Sequence, residues 1–339
     1  MRIKLTAGTN VGCIRTNNED NFITNIDLSR PDWILPQDPS ESVVLNDEGC
    51  VMVVADGMGG LNAGEVASAI AVEHVKQEFL NANLKKIIKS EKSIEKFMSE
   101  IVDKADKAIK KRVEDEPETK GMGTTLIFVW VIDNKAYLSW CGDSRAYIFN
   151  PKSGLKRISK DHSYVQELVD AGKHDAELAF DHPNSNIITR CLGDFKDKAH
   201  PDFNIVSLQA GDRILLCSDG LCGVCRDDEI IETMNKHHEN IEDCKKELIN
   251  AALDAGGYDN VTVALMEIVE DDNNCIVNDT CEINKIKKRN PLISFKLVLS
   301  VLLIIILIAI GLVFIQPELL SFFNNSQTEI ILPDSLTNP

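Results

Sequence analysis

The sequence lacks the basic excess of a nucleic-acid-binding protein. It holds 36 Lys and Arg residues against 53 Asp and Glu residues, which gives a formal net charge of −17. Proteins that bind a phosphate backbone neutralise it with Lys and Arg, so this balance argues against nucleic acid as a partner. An acidic excess is compatible with a protein that collects divalent cations, although most acidic proteins simply carry a soluble surface.

The chain also lacks an apolar segment at its start. Residues 1–6 (MRIKLT) contain no apolar h-region, so we expect no signal peptide. The 10 cysteines are spread over 339 residues and do not resemble a small disulfide scaffold. Cys50, Cys141 and Cys217 lie in apolar runs, where a free thiol packs as a small hydrophobic group. We therefore expect the main domain to be reduced and cytoplasmic.

One long apolar run lies near the other end. Leu297–Ile315 is apolar throughout except for Ser300. The run is long enough to span a bilayer. A buried core helix is the alternative, but such a helix is rarely apolar on every face. A basic cluster at 285–289 precedes the run, and no Lys or Arg follows it. By the positive-inside rule, the residues before the run face the cytoplasm. We predict a single-pass protein of the cell membrane, with a main domain at 1–269, a polar and basic linker at 270–294, a transmembrane helix at 295–315 and a short extracytoplasmic tail at 316–339.

The main domain shows patterns of both strands and helices. Apolar residues recur at helical spacing in 66–79, behind a capping-box pattern at 62–65, and more clearly in 94–109. The polar stretch 161–195 is typical of a flap or a helical insertion. Strands are predicted at 3–14, 50–55, 124–132, 135–141, 146–149, 213–217 and 261–266, and further helices from 227 and at 242–253.

The stretch around Asp56 is the one to which the other candidate site residues are related. Cys50–Ala55 is continuously apolar and rich in β-branched residues, as in a fully buried strand. The strand ends on Asp56, and Gly57, Gly59 and Gly60 follow, which allow the backbone to turn sharply and approach an ion. A rigid sheet can present a metal ligand in this way, while an ordinary Asp-Gly turn is the alternative interpretation.

Three more aspartates, Asp143, Asp219 and Asp259, also adjoin apolar strand-like runs. Buried carboxylates are costly unless they are paired or bound to a cation, and few Lys or Arg residues lie in these runs. Ligation by oxygen alone favours Mg²⁺ or Mn²⁺ over zinc. Several carboxylates meeting at one place would form a two-metal site for displacement at phosphorus, where the planar guanidinium of Arg15 could hold the phosphate.

Six short motifs occur in a fixed order along the chain. The motifs are R-x-x-x-E-D (15–20), V-A-D-G-M-G-G (54–60), G-T-T (123–125), G-D-S-R (142–145), S-D-G-L (218–221) and D-N-V-T (259–262). Their order resembles a known family, the metal-dependent type 2C serine/threonine protein phosphatases of the bacterial branch. Any one motif is weak, but six in the right order are specific, and the match covers about residues 5–268.

The resemblance implies a fold, a reaction and partners. The fold is α+β, a four-layer αββα sandwich of two antiparallel sheets flanked by helix pairs. The reaction is hydrolysis of phosphoserine and phosphothreonine by a metal-bridging hydroxide, with two core Mn²⁺ or Mg²⁺ ions and the third ion of bacterial members. The partners are phosphorylated proteins, including targets of a serine/threonine kinase or a kinase sharing the membrane.

The resemblance also assigns roles to individual residues. Asp56 bridges both core ions and the Gly57 carbonyl binds the first. Asp219 and Asp259 bind the second ion, and Asp143 joins Asp219 at the third. Arg15 holds the substrate phosphate, and Glu19 and Asp20 order metal-bound waters. Animal members carry a His after Asp-Gly as the proposed general acid, and this chain has Met58 there.

Two alternative functions remain open from the sequence alone. A catalytically silent relative could bind phosphopeptides, but Asp fills every expected carboxylate-ligand position. A two-metal phosphodiesterase or nuclease could use the same chemistry, but the acidic charge disfavours a nucleic-acid substrate.

Overall fold

The fold is described from a computed structural model that covers residues 1–33, 35, 38–59, 63–193 and 198–271. All of these residues belong to one unit, Met1–Asn278. The predicted transmembrane helix and outer tail, and almost all of the linker, lie outside the described residues, so those predictions stay predictions. Within the described ranges, no helix is both long enough and apolar enough to cross a membrane.

Strands make up two antiparallel sheets. The first sheet has the order β10-β9-β12-β13-β1-β3, the second has the order β11-β8-β7-β4-β2, and β5 pairs with β6 apart from both. The strands are β1 (Arg2–Asn10), β2 (Asn21–Asn25), β3 (Val43–Val44), β4 (Cys50–Ala55), β5 (Gly57–Met58), β6 (Gly123–Thr124), β7 (Leu126–Ile132), β8 (Lys135–Cys141), β9 (Arg145–Asn150), β10 (Gly154–Arg157), β11 (Asp202–Ser207), β12 (Arg213–Cys217) and β13 (Val261–Glu270).

Helices cover the outer faces of both sheets. Helices α1 and α3 pack on the second sheet, and α5, α6 and α7 pack on the first. The helices are α1 (Gly64–Asn81), α2 (Leu84–Ile87), α3 (Glu91–Asp115), α4 (Tyr164–Asp170), α5 (Asp219–Cys222), α6 (Asp227–Lys236) and α7 (Ile241–Asp254).

The central strand β4 is apolar on both sides because both of its faces are buried. Its even-numbered residues pack against β1, β12 and β13 of the first sheet, and its odd-numbered residues pack against α1 and α3. The two sheets therefore face each other across one core, and each carries helices on its other side. This order of layers confirms the predicted α+β fold with two antiparallel sheets.

Cysteines in the described ranges are free thiols. Cys50, Cys141 and Cys217 are fully buried, as their apolar neighbours predicted. Burial in the core raises the pKa of the Cys141 thiol to about 12, so it packs as a neutral apolar group.

Some predicted element ends were wrong. The strand predicted at 124–132 is interrupted at Thr125, whose N–H donates to the carbonyl of Asp56 at 2.8 Å. Thr124, the first residue of the predicted strand, belongs instead to β6 (Gly123–Thr124), which pairs with Gly57–Met58. The first strand ends at Asn10 and does not reach residue 14. Helix α1 follows an Ala63 N-cap without a side-chain hydrogen bond, and Asn62 of the predicted capping box lies outside the described residues.

The flap was predicted at 161–195, and the structure describes it as far as Gly193. It contains α4 and a 3₁₀ helix at Ala176–Leu178. At its far end Leu192 pairs with Thr124 of β6. Asp106 of α3, which is buried, accepts a hydrogen bond from the N–H of Gly193 at 2.8 Å. The flap therefore returns to the sheets next to the end of β4.

Candidate active site

The four aspartates that the sequence placed at strand ends converge in the structure. Asp56 follows β4, Asp143 follows β8, Asp219 follows β12 and Asp259 precedes β13. The Asp56 and Asp219 side chains are neighbours, and each acts on the pKa of the other. The Asp143 charge acts on Asp56, and the Asp259 charge acts on Asp219. The ends of strands from both sheets therefore bring these groups to one place.

Neighbouring carboxyl groups in this cluster raise one another's pKa values. Burial raises the pKa of Asp56 well above its usual range, and the neighbouring Asp20, Asp219 and Asp143 charges raise it further. Burial, followed by the Asp219 charge, raises the pKa of Asp143 in the same way. Burial raises the pKa of Asp20 to about 8. Each carboxylate is costly to ionise here unless a positive charge joins it.

The residues present fit a hard divalent cation. The four side chains offer only oxygen ligands, which Mg²⁺ and Mn²⁺ prefer. Asp143 Oδ1 is buried and has no hydrogen-bond partner. A Cβ on Gly57 would lie 2.2 Å from the Gly64 carbonyl oxygen and 2.5 Å from that of Glu19, so only glycine fits beside Asp56. In the part of the chain that the structure describes, no three His, Cys, Asp or Glu side chains are grouped so that they could hold a metal ion as they stand.

Arg15 lies at the edge of this cluster. Its Nη2 donates to Asp259 Oδ2 at 2.7 Å, and both side chains are partly exposed. The hydrogen bond to Asp259 raises the pKa of Arg15, so its charge is permanent. The predicted phosphate ligand thus reaches the site, where it pairs with one of the predicted metal ligands.

Glu19 and Asp20 lie behind the cluster. Asp20 Oδ2 accepts hydrogen bonds from Ser218 Oγ at 2.7 Å and from Thr262 Oγ1 at 2.6 Å. The Glu19 backbone carbonyl accepts from the Gly57 N–H at 3.2 Å. Both residues therefore hold β2 against the segments that carry Asp56 and Asp219, and their predicted role in ordering water stays a prediction.

A family model described as protein phosphatase 2C matches residues 34–257 of this sequence. The chain belongs to the protein phosphatase 2C family. The six motifs predicted this membership, and the antiparallel sandwich agrees with it.

Several bacterial phosphatases are similar to this phosphatase 2C chain. The protein phosphatase PhpP of Streptococcus pneumoniae is 33% identical over 265 residues, which cover 78% of this chain and 97% of that protein. The structure of Stp1 from Staphylococcus aureus aligns with a TM-score of 0.68 and 32% identity, covering 78% of this chain and 95% of that chain. The catalytic domain of PstP, solved with two manganese ions, aligns with a TM-score of 0.63 and 30% identity, covering 79% and 99%. The phosphatase 2C chain is therefore of the bacterial serine/threonine phosphatase type.

The sequence did not predict which residues hold this phosphatase 2C site together. Asn260 Nδ2 donates to the carbonyls of Val11 and Asn17, each at 2.9 Å, and its Oδ1 accepts from the Glu19 N–H at 2.8 Å. These three bonds fix the loop that carries Arg15. Asn260 belongs to the D-N-V-T motif. Its amide, placed between Asp259 and a buried strand, was the sequence feature that could have indicated this supporting role.

The G-T-T and G-D-S-R motifs have a similar supporting role. Thr125 Oγ1 accepts from the Asp56 N–H at 3.0 Å and lies 2.8 Å from Ser144 Oγ. Thr124 Oγ1 donates to the Asp56 carbonyl at 2.8 Å. These hydroxyls link the backbone at Asp56 to the turn that carries Asp143, so the distance between the two carboxylates is fixed by the fold.

The metal-free phosphatase 2C domain should lose stability as the pH rises from 5 to 8. The folded state raises the pKa of Asp20, Asp56, Asp143 and Asp219 above the usual 3.8. The folded protein therefore keeps protons that the unfolded chain has released, and this stabilisation is present at low pH and lost as the pH rises through the folded-state values. We expect the Tm in chelator to fall by about 5 °C over this range, and saturating Mn²⁺ to remove most of the fall.

Thermal unfolding of the full chain at pH 5, 6, 7 and 8, with chelator and with Mn²⁺, measures this effect. A Tm in chelator that is constant or rises toward pH 8 would contradict the charge repulsion described here.

Proposed function

We propose that this protein hydrolyses phosphoserine and phosphothreonine in phosphorylated proteins, in a reaction that requires Mn²⁺ or Mg²⁺. The observation that carries the proposal is the group of aspartates at the strand ends, with the buried Asp143 Oδ1 unpartnered and Arg15 at the rim. The manganese-bound relative and the order of the motifs support it. The expected partners are targets of a serine/threonine kinase or such a kinase itself.

In this proposal each acid keeps the role that the motif order gave it. Asp56 would hold both ions, with the Gly57 carbonyl at the first and Asp219 and Asp259 at the second. Asp143 and Asp219 offer a place for a third. When bound, the ions supply the activated water that attacks phosphorus and neutralise charge on the phosphate oxygens. The backbone at Asp56 is held by Thr125, which is linked to Ser144 beside Asp143, so these two acids would need little rearrangement to receive the ions.

Arg15 positions the substrate. Its guanidinium has five N–H donors, and Nη2 is the donor that contacts Asp259. The side chain is about half exposed, so the remaining donors face the solvent side of the site. We propose that this fork binds two phosphate oxygens and thereby orients the phosphorus atom for in-line attack. Asn260 holds the backbone loop from which Arg15 projects.

Turnover of a phosphothreonine peptide by the full chain tests the proposed function. We expect phosphate release that requires added Mn²⁺ or Mg²⁺ and stops in chelator. Binding of the peptide without release at any Mn²⁺ concentration would indicate a catalytically silent relative. Cleavage of nucleotide diesters without cleavage of the peptide would indicate a phosphodiesterase.

We also propose that the catalytic domain is anchored to the cytoplasmic side of the cell membrane. The apolar run Leu297–Ile315, the basic residues at 285–289 before it and the absence of Lys or Arg after it support this proposal. An anchor of this kind would raise the local concentration of the phosphatase near membrane-bound phosphoproteins. The segment 270–294 would then be a linker and 316–339 a short outer tail.

Deletion of residues 291–339 should release the protein from the membrane. We expect the full chain in the membrane pellet and the shortened chain in the soluble fraction, because the deletion removes the whole apolar run. The two forms should have equal turnover on a soluble phosphopeptide. A full chain found in the soluble fraction after high-speed centrifugation would contradict the anchor.

A further inference from the structure

One arginine joins the flap to the opposite wall of the cleft beside the site. Arg226 Nη2 donates to both carboxylate oxygens of Asp181, at 2.7 and 2.6 Å. The guanidinium carbon of the same residue lies 4.3 Å from the centre of the Phe180 ring. Arg226 therefore contacts two consecutive flap residues, one through charge and one through its flat face.

The wall that carries Arg226 is firmly attached to the core. Arg226 is the N-cap of α6, and its backbone N–H donates to Glu229 Oε2 at 2.7 Å. Ile230 and Met234 of the same helix are buried against the first sheet. Asp227 accepts a hydrogen bond from the buried Tyr147 hydroxyl at 3.0 Å. The flap wall is less firmly packed, because Ala176–Leu178 is a single turn of 3₁₀ helix with no buried residue.

The cleft between these two walls opens onto the proposed metal site. Its volume is about 510 Å³, and Asp143, Asp219 and Asp259 line its inner end. Phe180 and Arg226 line it as well. The phosphorylated side chain needs only the inner end. The remaining volume can therefore receive the residues that flank it in a peptide.

We propose that Arg226 is a specificity-determining residue, which holds the flap in the position that binds the residues flanking the phosphorylated one. This inference rests on the proposed phosphatase function and deepens it. Arg226 contacts Asp181 and Phe180 rather than the site aspartates or Arg15, so we expect it to act on recognition of the peptide and to leave the chemistry unchanged. A small aryl phosphate, which has no flanking residues, should not depend on it.

The test compares two substrates for the full chain with saturating Mn²⁺. In Arg226→Ala we expect the KM for a phosphothreonine peptide to rise about five- to tenfold, the amount that a bidentate ion pair and a cation–π contact at a partly exposed site can supply. The peptide kcat should stay near normal, and kcat/KM for p-nitrophenyl phosphate should change less than twofold. Arg226→Lys should restore part of the peptide KM, because it keeps the charge but loses the fork.

Matched variants separate the Arg226–Asp181 contact from general effects. Asp181→Asn should reproduce the peptide KM of Arg226→Ala, and the double variant should be no worse than either single one. Arg112→Ala is the control, since the Arg112 side chain is 44% exposed like that of Arg226 and pairs with Glu116, the residue that follows α3. It should leave both substrates unchanged. Hydrogen exchange at the amides of Leu178, Ala179 and His182 should become faster in Arg226→Ala, even in the metal-free protein.

Three results would overturn the inference. Equal losses on the peptide and on p-nitrophenyl phosphate would mean that Arg226 supports the fold. Unchanged kinetics together with unchanged hydrogen exchange would mean that the contact has no role. A wild-type chain that hydrolyses neither substrate with Mn²⁺ would overturn the proposed function itself, and with it any role in specificity. In the first two cases wild-type turnover shows that the proposed function stands without the inference.

Discussion

Asp56→Asn should abolish phosphatase activity and at the same time stabilise the metal-free protein. The activity is lost because an amide has one acceptor oxygen and cannot bridge two cations as a carboxylate does. Removing metal assistance worth several kcal/mol should lower kcat by about 10³-fold or more. The stability rises because partial burial, followed by the charges of Asp20, Asp219 and Asp143, raises the pKa of Asp56. A neutral side chain of the same shape relieves that repulsion, and the Tm in chelator should rise by about 3 °C.

The paired measurement is steady-state turnover of a phosphothreonine peptide and thermal unfolding in chelator, on the same preparations. Asp115→Asn is the control, since Asp115 is exposed at the end of α3, and neither quantity should change. Near-normal turnover in Asp56→Asn would refute the metal assignment. A lower Tm in chelator would mean that the carboxylate stabilises the fold, and that the acids do not repel one another as the buried cluster implies.

Arg15→Ala should weaken substrate binding and leave Mn²⁺ binding intact or slightly tighter. A charge-assisted hydrogen bond to phosphate contributes about 1.5–3 kcal/mol, so we expect the peptide KM to rise roughly 10- to 100-fold. The effect on the metal has the opposite direction, because Arg15 Nη2 contacts Asp259 Oδ2 at 2.7 Å in the metal-free protein. Without Arg15, the guanidinium no longer competes with the cation for the Asp259 carboxylate.

Kinetics at saturating Mn²⁺ and a separate Mn²⁺ titration distinguish these two effects. Arg15→Lys should fall between the wild type and Arg15→Ala, since lysine keeps the charge and loses the planar fork. If the alanine variant lost substrate affinity and metal affinity to the same extent, Arg15 would be a structural partner of Asp259 and nothing more.

The acids of this site could be predicted from the sequence because each one interrupts a run of apolar residues. Asp56, Asp143 and Asp219 follow buried strands, and a charge in that position needs a partner. Two antiparallel sheets followed from the family resemblance, and the continuous apolar character of Cys50–Ala55 already required burial on both faces.

The supporting contacts could not be predicted in the same way, since they join residues that are far apart in the chain. Arg15 contacts Asp259 across 244 positions, and Asp20 accepts from Thr262 across 242. The break at Thr125 is another case. Its neighbours favour a continuous strand, but its N–H donates to the Asp56 carbonyl, and this long-range bond ends the local pattern.

The same reason applies to the flap. The polar composition of 161–195 indicated an insertion, and α4 with the 3₁₀ turn at Ala176–Leu178 agrees with that. No pattern in the sequence pairs Arg226 with Asp181, because both residues are typical of a solvated surface. Their pairing depends on the fold, which brings the start of α6 opposite the flap.

The most direct test of the metal centre is anomalous diffraction from crystals of residues 1–271 grown with Mn²⁺. The arrangement of the acids predicts two manganese peaks about 3.5–4 Å apart. Asp56 should bridge them, with the Gly57 carbonyl on one and Asp219 and Asp259 on the other. Manganese bound only at other surface acids, or a single peak without Asp56 among its ligands, would contradict it.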